Sequence, residues 1–321
     1  MVLEIALIVA GLALLLIAGD ILVRGAVALA AALNVPALLV SLTIVAFGTS
    51  APELVVTVQA ILSGSEGIAL GNIIGSNIAN VLLVLGLPAI IYPITTHVPH
   101  LKRHAWVMLA ATAALAATAY GPGMITAPIG AALFAGIVLY VLYSGLKARS
   151  GKDRDPVIDE IEEYADPKGV SLKTMAFIIC GLIGLPLGAH LLVTNGASLA
   201  ADLGVREQLI GLTIIAFGTS LPELATVAAA SVHKKSDVAI GGIIGSNIFN
   251  ILAVGGAAGL AGGAGFDAVS LQVDMPVMIA ATLFLSAYIF LKRDIGRLTG
   301  LFMFGAYIGF VLALTALSGG F

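Results

Sequence analysis

Residues 42–54 read LTIVAFGTSAPEL, and residues 212–224 read LTIIAFGTSLPEL. Eleven of the thirteen positions are identical, and the second copy follows the first at an offset of 170 residues. Each copy places one carboxylate, Glu53 or Glu223, in an apolar run that is interrupted by Gly and Pro. If these runs cross a membrane, an acid beside a broken helix indicates a functional site, because ionisable groups are costly in lipid.

The composition is that of an integral membrane protein. Of the 321 residues, 60% are hydrophobic and 10% are charged, and the mean hydropathy is +1.10. Soluble domains carry about 25% charged residues, so we expect a chain surrounded by lipid, without a nucleic-acid partner. Cys180 is the single cysteine, which excludes an intrachain disulfide and a cysteine metal cluster.

The apolar pattern predicts ten membrane-spanning helices, since most stretches suit a hydrocarbon core about 30 Å thick. The first run lacks a positively charged start and a clear cleavage site, so we interpret it as a span rather than a signal peptide. The predicted spans cover residues 2–32, 36–62, 68–91, 104–119, 125–147, 173–202, 206–232, 237–261, 275–292 and 298–318.

Positive charges predict how these spans are oriented, because Lys and Arg concentrate in cytoplasmic loops. With the N-terminus outside, thirteen of the fifteen basic residues fall on the inner side, and only Arg206 lies in an outer loop. We therefore expect both termini outside, in the plasma (inner) membrane. Arg24 lies within the first span, one helical turn from Asp20, and the two side chains are expected to form a local ion pair or to reach toward the inner surface.

Each half contains an odd number of predicted spans, so the second half enters the membrane from the opposite side. The predicted fold class is an all-α membrane protein with ten transmembrane helices in a 5+5 inverted-topology repeat. Its parts are a first five-helix repeat at 1–147, a cytoplasmic linker loop at 148–172 and a second repeat at 173–321. This arrangement is typical of secondary transporters.

The duplicated acidic motif predicts a broken helix that supplies oxygen atoms. Pro52 and Pro222 cannot continue a helix but fit the first turn of a new one. The break should release backbone carbonyls that are tolerated in a membrane only beside protein or a watery cavity. With hydroxyls and a carboxylate they make an all-oxygen set, which suits hard cations such as Ca²⁺ and Na⁺. The oxygens lie near Ala46, Thr49, Ser50, Ala216, Thr219 and Ser220.

A second segment is duplicated at the same offset. Residues 71–82 read GNIIGSNIANVL and residues 241–252 read GGIIGSNIFNIL, with nine of twelve positions identical. Its Ser and Asn residues lie four apart and share a helix face. One such residue alone is better explained by an interhelical hydrogen bond, but repetition in both halves favours a site. The residues are Ser76, Asn80, Ser246 and Asn250, while Asn77 and Asn247 fit ligand support and helix packing equally well.

The motifs GTSxPE (48–53 and 218–223) and GSNIxN (75–80 and 245–250) resemble the alpha repeats of the sodium/calcium exchanger family, within the cation/calcium antiporter superfamily. The resemblance implies exchange of Ca²⁺ against Na⁺ by alternating access at a site near the bilayer midplane. Glu53 and Glu223 would be the shared ligands of both ions. The other implied contributors are Thr49, Ser50, Thr219, Ser220, the carbonyls of Ala46 and Ala216, and Ser76, Asn80, Ser246 and Asn250.

One departure from the superfamily pattern bears on charge. Potassium-dependent members carry Asp where this chain has Asn80 or Asn250, so a third carboxylate is missing here and K⁺ co-transport is disfavoured. Two carboxylates balance one Ca²⁺ or two Na⁺, and a third Na⁺ would leave one positive charge. The resemblance thus implies electrogenic exchange. Proton/calcium exchangers typically carry GNxxE, which this motif does not match.

The sequence predicts a secondary antiporter that extrudes Ca²⁺ and is not an enzyme. It requires no cofactor, its ligands are the transported ions, and we expect a monomer. Proton coupling or another divalent cation remains an alternative, to be distinguished by cation flux that follows pH without Na⁺. A channel is less favoured because charged oxygen sites suit tight occupancy. An intramembrane enzyme is disfavoured because the chain contains no HExxH motif, and the duplicated motifs that carry Ser50 and Ser220 contain no histidine base.

Overall fold

The computed structural model of the chain describes residues 2–33, 35, 37–149, 170–202 and 218–317. In these ranges the chain is almost entirely helical, with two short strands, β1 (Met124–Ile125) and β2 (Ala264–Gly265). The helices are α1 (Val2–Leu33), α2 (Ala37–Thr49), α3 (Ala51–Leu62), α4 (Glu66–Ile91), α5 (Leu101–Tyr120), α6 (Ala127–Arg149), α7 (Leu172–Asp202), α8 (Leu221–Val232), α9 (Ser236–Ala261), α10 (Ser270–Phe290) and α11 (Arg297–Leu317).

The described helices make this an all-α membrane protein. Seven of them, α1, α4, α6, α7, α9, α10 and α11, are long and apolar enough to cross a membrane, and the bent pair α2–α3 makes an eighth if it is one span. Helix α5, predicted as a span at 104–119, falls outside this set. The predicted span 206–232 is described only from residue 218, and most of the linker loop, residues 150–169, also lies outside the described part. The number of ten spans therefore stays a prediction.

Helices α4 and α9 form the centre of the protein. In their most apolar 18-residue windows, 83% of the residues of α4 and 94% of those of α9 are buried, against 22–39% in the other single candidate spans. An apolar helix that is buried on every side belongs to a core, whereas one with an exposed apolar face suits contact with lipid. The second duplicated segment therefore lies at the core of the helix bundle.

The predicted helix break at Pro52 is confirmed. Helices α2 and α3 meet at an angle of 42°, with Ser50 between them and Pro52 in the first turn of α3. Pro222 occupies the equivalent place in the first turn of α8, directly after Ser220. Proline favours this position because it lacks the amide donor that a continuing helix would need.

The connecting loops meet in pairs at opposite ends of α5. At one end β1 pairs with β2 in antiparallel register, Met124 opposite Gly265. At the other end Ile94 forms an antiparallel bridge with Ile295. These contacts join loops that the alternating path of the spans predicts on a common side of the membrane.

The long helices α1 and α7 pack against each other at the periphery of the bundle. A side-chain carbon at Gly11 would lie 2.8 Å from the carbonyl oxygen of Gly188, so only glycine allows this close approach. The predicted ion pair of Arg24 with Asp20 is confirmed, with Nε and Oδ2 2.9 Å apart. Asp20 also makes a hydrogen bond with His233, the residue that follows α8. This bond links α1 to the end of α8.

Candidate cation-binding site

The two acidic motifs come into direct contact. The hydroxyl of Ser50 donates a hydrogen bond of 2.9 Å to Oε1 of Glu223, across a separation of 173 residues. Glu53 and Glu223 are buried, with 1% and 2% of their surface exposed. Each lies in the first turn of its helix, α3 or α8, where the positive end of the helix dipole favours a carboxylate. A buried carboxylate nevertheless needs a charge partner to be stable as an anion.

Helix α9 carries the second motif of the second repeat against the first motif of the first repeat. A side-chain carbon at Gly245 would lie 2.7 Å from both Cβ of Ala46 and the carbonyl oxygen of Leu42. The hydroxyl of Ser41 donates a 2.6 Å hydrogen bond to the carbonyl of Val238 in the same contact. Glycine in the GSN motif therefore allows α9 to approach the broken span closely.

The helices α4 and α9 change geometry at equivalent residues. A π-helical turn begins at Asn80 (Asn80–Leu85) and another at Asn250 (Asn250–Val254). The first turn contacts α8, which carries Glu223, and the second contacts α3, which carries Glu53. Single π-helical turns are rare in proteins, and those that do occur are often found at functional sites. Each repeat thus brings its second motif to the acid-bearing helix of the other repeat.

Unpartnered polar atoms concentrate where these segments meet. Among the described residues, Oε2 of Glu53, Oε2 of Glu223, Oγ of Ser246 and both amide atoms of Asn250 are buried without a hydrogen-bond partner. Each such atom costs about 1–3 kcal/mol if nothing binds it. Isolated cases occur elsewhere, for example at Thr112, but here five atoms belong to four residues of the duplicated motifs. Their oxygens are ligands that a hard cation prefers.

Among the described residues, Glu53 and Glu223 are the buried acidic side chains of the site. In the described part of the chain, no group of three or more His, Cys, Asp or Glu side chains is suited to a metal ion. Ser76, Asn80 and Ser220 are also buried and contribute neutral polar groups. When both acids are ionised, these two carboxylates supply two negative charges to the site.

The first motif departs from the sequence prediction at the carbonyl of Ala46. This oxygen accepts hydrogen bonds from the amide of Ser50 at 3.0 Å and from Oγ1 of Thr49 at 3.4 Å. It is not released by the helix break as predicted, because the last turn of α2 still uses it. These two donors occupy both of its lone pairs, so it could bind an ion only if the hydroxyl of Thr49 turned away. Thr219 is half-buried, and the predicted Ala216 lies outside the described residues.

Asn72 supports the site and was not predicted. Its Nδ2 donates to the carbonyl of Glu53 at 3.0 Å and to Oγ1 of Thr57 at 2.8 Å, which ties α4 to α3. The equivalent residue of the second repeat is Gly242, so comparison of the two repeats does not identify Asn72 as a site residue. A polar residue four positions before Ser76 was the only sequence signal.

Known proteins resemble this chain along nearly its whole length. The sequence profile of the sodium/calcium exchanger protein family matches residues 3–146 and 173–316. MaX1, a sodium/calcium exchanger of Methanosarcina acetivorans, is 29% identical over 336 residues, covering 95% of this chain and 96% of MaX1. The inner membrane protein YrbG of Escherichia coli is 34% identical over 322 residues, covering 99% of this chain and 98% of YrbG.

The fold is also shared with a solved exchanger structure. The sodium-calcium exchanger NCX_Mj, soaked with Na⁺ and Ca²⁺, matches with a TM-score of 0.83 and 30% sequence identity, covering 98% of this chain and 99% of NCX_Mj. Because the family profile spans most of the chain and the fold agrees from end to end, this chain belongs to the sodium/calcium exchanger family.

Proposed function

We propose that this protein is a secondary active antiporter that exchanges Ca²⁺ for Na⁺ across the membrane by alternating access. The observation that carries the proposal is the contact of Ser50 with Glu223, because it joins the two acidic motifs in one buried place. Membership of the exchanger family supports the class of transporter, and the oxygen chemistry of the site supports hard cations as its substrates.

Glu53 and Glu223 are the charged ligands in this proposal. The neutral oxygens come from Thr49, Ser50, Thr219, Ser220, Ser76, Asn80, Ser246 and Asn250, and from the carbonyls of Ala46 and Ala216. Two carboxylates neutralise one Ca²⁺ or two Na⁺. A third Na⁺ carries one net charge across, so exchange of three Na⁺ for one Ca²⁺ is electrogenic, and the inward Na⁺ gradient drives Ca²⁺ out.

Coupling follows from the cost of an empty site. Without a cation, the two carboxylates repel each other, and burying them away from water costs free energy. Both effects oppose any movement that encloses the empty site. Occupancy by Ca²⁺ or Na⁺ removes this penalty and allows the conformational change. We propose that α1 and α7 move across the core of α4 and α9. Their peripheral position and their close mutual packing support movement of the two helices together.

The proposed architecture is a 5+5 inverted repeat, with residues 1–147 and 173–321 as the two halves and 148–172 as a cytoplasmic linker. Matches of the family profile at 3–146 and 173–316 support the division, since they differ by the same offset of 170 residues. We propose a monomer in the plasma (inner) membrane with both termini outside. The similarity to an inner membrane protein supports the location.

The experiment is ⁴⁵Ca²⁺ uptake by proteoliposomes that contain the purified protein. An outward Na⁺ gradient should drive uptake. If three Na⁺ leave for each Ca²⁺ that enters, one net positive charge leaves in each cycle, so a membrane potential that is negative outside should accelerate uptake. A pH gradient without Na⁺ should drive none. Uptake that follows pH and ignores Na⁺ would favour proton coupling, and absence of uptake in any Na⁺ gradient would refute the proposal.

A further inference from the structure

A pair of asparagines connects the two halves behind the candidate site. Nδ2 of Asn80 donates a 3.0 Å hydrogen bond to Oδ1 of Asn247, and both side chains are buried. Asn80 is a proposed ion ligand in the first copy of the GSNIxN motif, whereas Asn247 lies in the second copy and has no assigned role. The two residues are 167 positions apart, so the bond joins α4 of the first half to α9 of the second.

The neighbours of Asn247 determine which way its amide points. Its Nδ2 faces the main-chain carbonyl of Asn77 at 3.5 Å and the sulfur of Met108 at 4.0 Å. Both are acceptors, and the carbonyl cannot donate. The donor side of Asn247 must therefore face them, so that Oδ1 is directed toward Asn80. Only a donor can meet this oxygen favourably, and Asn80 supplies Nδ2.

The orientation of Asn80 determines whether it can bind a cation. A primary amide has an oxygen on one side and an NH₂ group on the other. Because Nδ2 of Asn80 is held by Asn247, its Oδ1 is the atom left for an ion. If the amide rotated by half a turn, it would present hydrogen atoms to the cation and would repel it.

The repeat-related pair consists of Asn77 and Asn250. Nδ2 of Asn77 donates to the carbonyl of Ile73 at 2.7 Å, so its Oδ1 is the atom that can accept. Within the described part of the chain this oxygen has no partner, and neither does Nδ2 of Asn250. These are the counterparts of the two atoms that bond in the pair Asn80–Asn247. One pair is closed and the equivalent pair is open in this conformation.

We propose that Asn247 and Asn77 are positioning residues that orient the ligand amides of Asn80 and Asn250, each acting on the ligand of the other half. Asn247 holds the oxygen of Asn80 toward the site in the present conformation. Asn77 provides the same acceptor for Asn250 when that pair closes. This inference rests on the proposed cation site, but not on the identity of the ion that drives exchange.

The test uses the symmetry of a carboxylate. Asn80→Asp places an oxygen on both sides of the side chain, so its orientation no longer matters for binding. We expect Asn247→Leu, which removes the acceptor at similar size, to weaken Ca²⁺ binding by about 10- to 100-fold when Asn80 is present. In the N80D background the same substitution should weaken Ca²⁺ binding less than about threefold. This is well below the loss of affinity that is typical when a residue supporting a metal ligand is replaced. Calorimetric titration with Ca²⁺ on purified protein measures both ratios.

Each outcome decides the inference. A purely structural role of Asn247 predicts the same loss of affinity in both backgrounds, and that result would overturn the proposal, as would normal affinity of N247L. Asn247→Asp keeps an acceptor for Asn80 and should retain more affinity than N247L. If N247L does not fold, Asn247→Ala provides the same comparison without added apolar bulk.

Failure of the proposed function gives a different pattern. If the protein binds Ca²⁺ and shows the expected dependence on background, but Na⁺ drives no ⁴⁵Ca²⁺ uptake, the inference stands and the proposed exchange is wrong. If the unaltered protein binds no Ca²⁺ at all, the cation site and the positioning role are both refuted.

Discussion

Replacing Glu223 by Gln removes one of the two charges of the candidate site while keeping nearly the same side-chain volume. The amide oxygen of Gln can still accept the hydrogen bond from Ser50, which is 2.9 Å from Oε1 in the structure. The substitution therefore changes the charge and leaves the contact between the two motifs in place. Because Glu223 is only 2% exposed, water screens this charge weakly.

The expected magnitude follows from the loss of one partner of a buried charge pair. Such a loss costs about 3–5 kcal/mol, which corresponds to roughly 100- to 4,000-fold weaker Ca²⁺ binding. Thermal unfolding with and without Ca²⁺ measures it, because a ligand present at about 100 times its Kd stabilises the folded state by about 2.7 kcal/mol. E223Q should lose this Ca²⁺-dependent shift. Without cations it should unfold no earlier than the unaltered protein, since two buried carboxylates no longer oppose each other.

Glu66→Gln is the matched control. Glu66 lies in the first turn of α4, and its Oε2 accepts a 2.8 Å hydrogen bond from the amide of Gly265 in β2. The chemical change is the same, but it occurs outside the candidate site, so the Ca²⁺-dependent shift should be retained. A normal shift in E223Q, or an equal loss in E66Q, would refute the assignment of Glu223 as a charged ligand.

Three further substitutions test separate parts of the site. Asn250→Asp adds a carboxylate to the candidate cavity and should make Ca²⁺ flux depend on pH, whereas an unchanged pH profile would argue against Asn250 lining it. Gly245→Ala places a methyl group 2.7 Å from Cβ of Ala46 and should destabilise the protein by about 1–3 kcal/mol. Gly305→Ala is its control, since the added carbon has no described atom within 4 Å beyond its own stretch of helix. Equal melting temperatures of the two variants would contradict the close packing of α9. Asn72→Leu removes two hydrogen bonds to α3 and should lower the free energy of unfolding by about 1–3 kcal/mol, and an unaltered denaturant midpoint would show that this link is not stabilising.

The broken helix and the contact of the two motifs are predictable from the sequence. Proline at residue 52 has no amide donor, so a break before it follows from covalent structure. Duplication predicts the rest: the odd number of predicted spans in each half implies copies of opposite orientation, and such copies can meet near a pseudo-twofold axis. In the structure the two copies meet through the hydrogen bond from Ser50 to Glu223.

Other features depend on tertiary packing and leave little trace in the sequence. The π-helical turns at Asn80 and Asn250 begin within continuous apolar helices, where residue propensity does not distinguish π from α geometry. The carbonyl of Ala46 stays within its helix because the amide of Ser50, at the break itself, still donates to it. Asn72 is not predicted because the equivalent position of the second repeat is Gly242. Comparison of the two repeats therefore does not identify a supporting residue that occurs in only one of them.

The most direct test of a shared site is a structure of the protein determined with Ca²⁺ bound. We predict one ion that is held by carboxylate oxygens of both Glu53 and Glu223 at about 2.3–2.6 Å, with neutral oxygens completing its shell. Oδ1 of Asn80, rather than Nδ2, should face the ion. An ion that contacts only one of the two carboxylates, or that binds away from both, would contradict a single site built from the two halves of the chain.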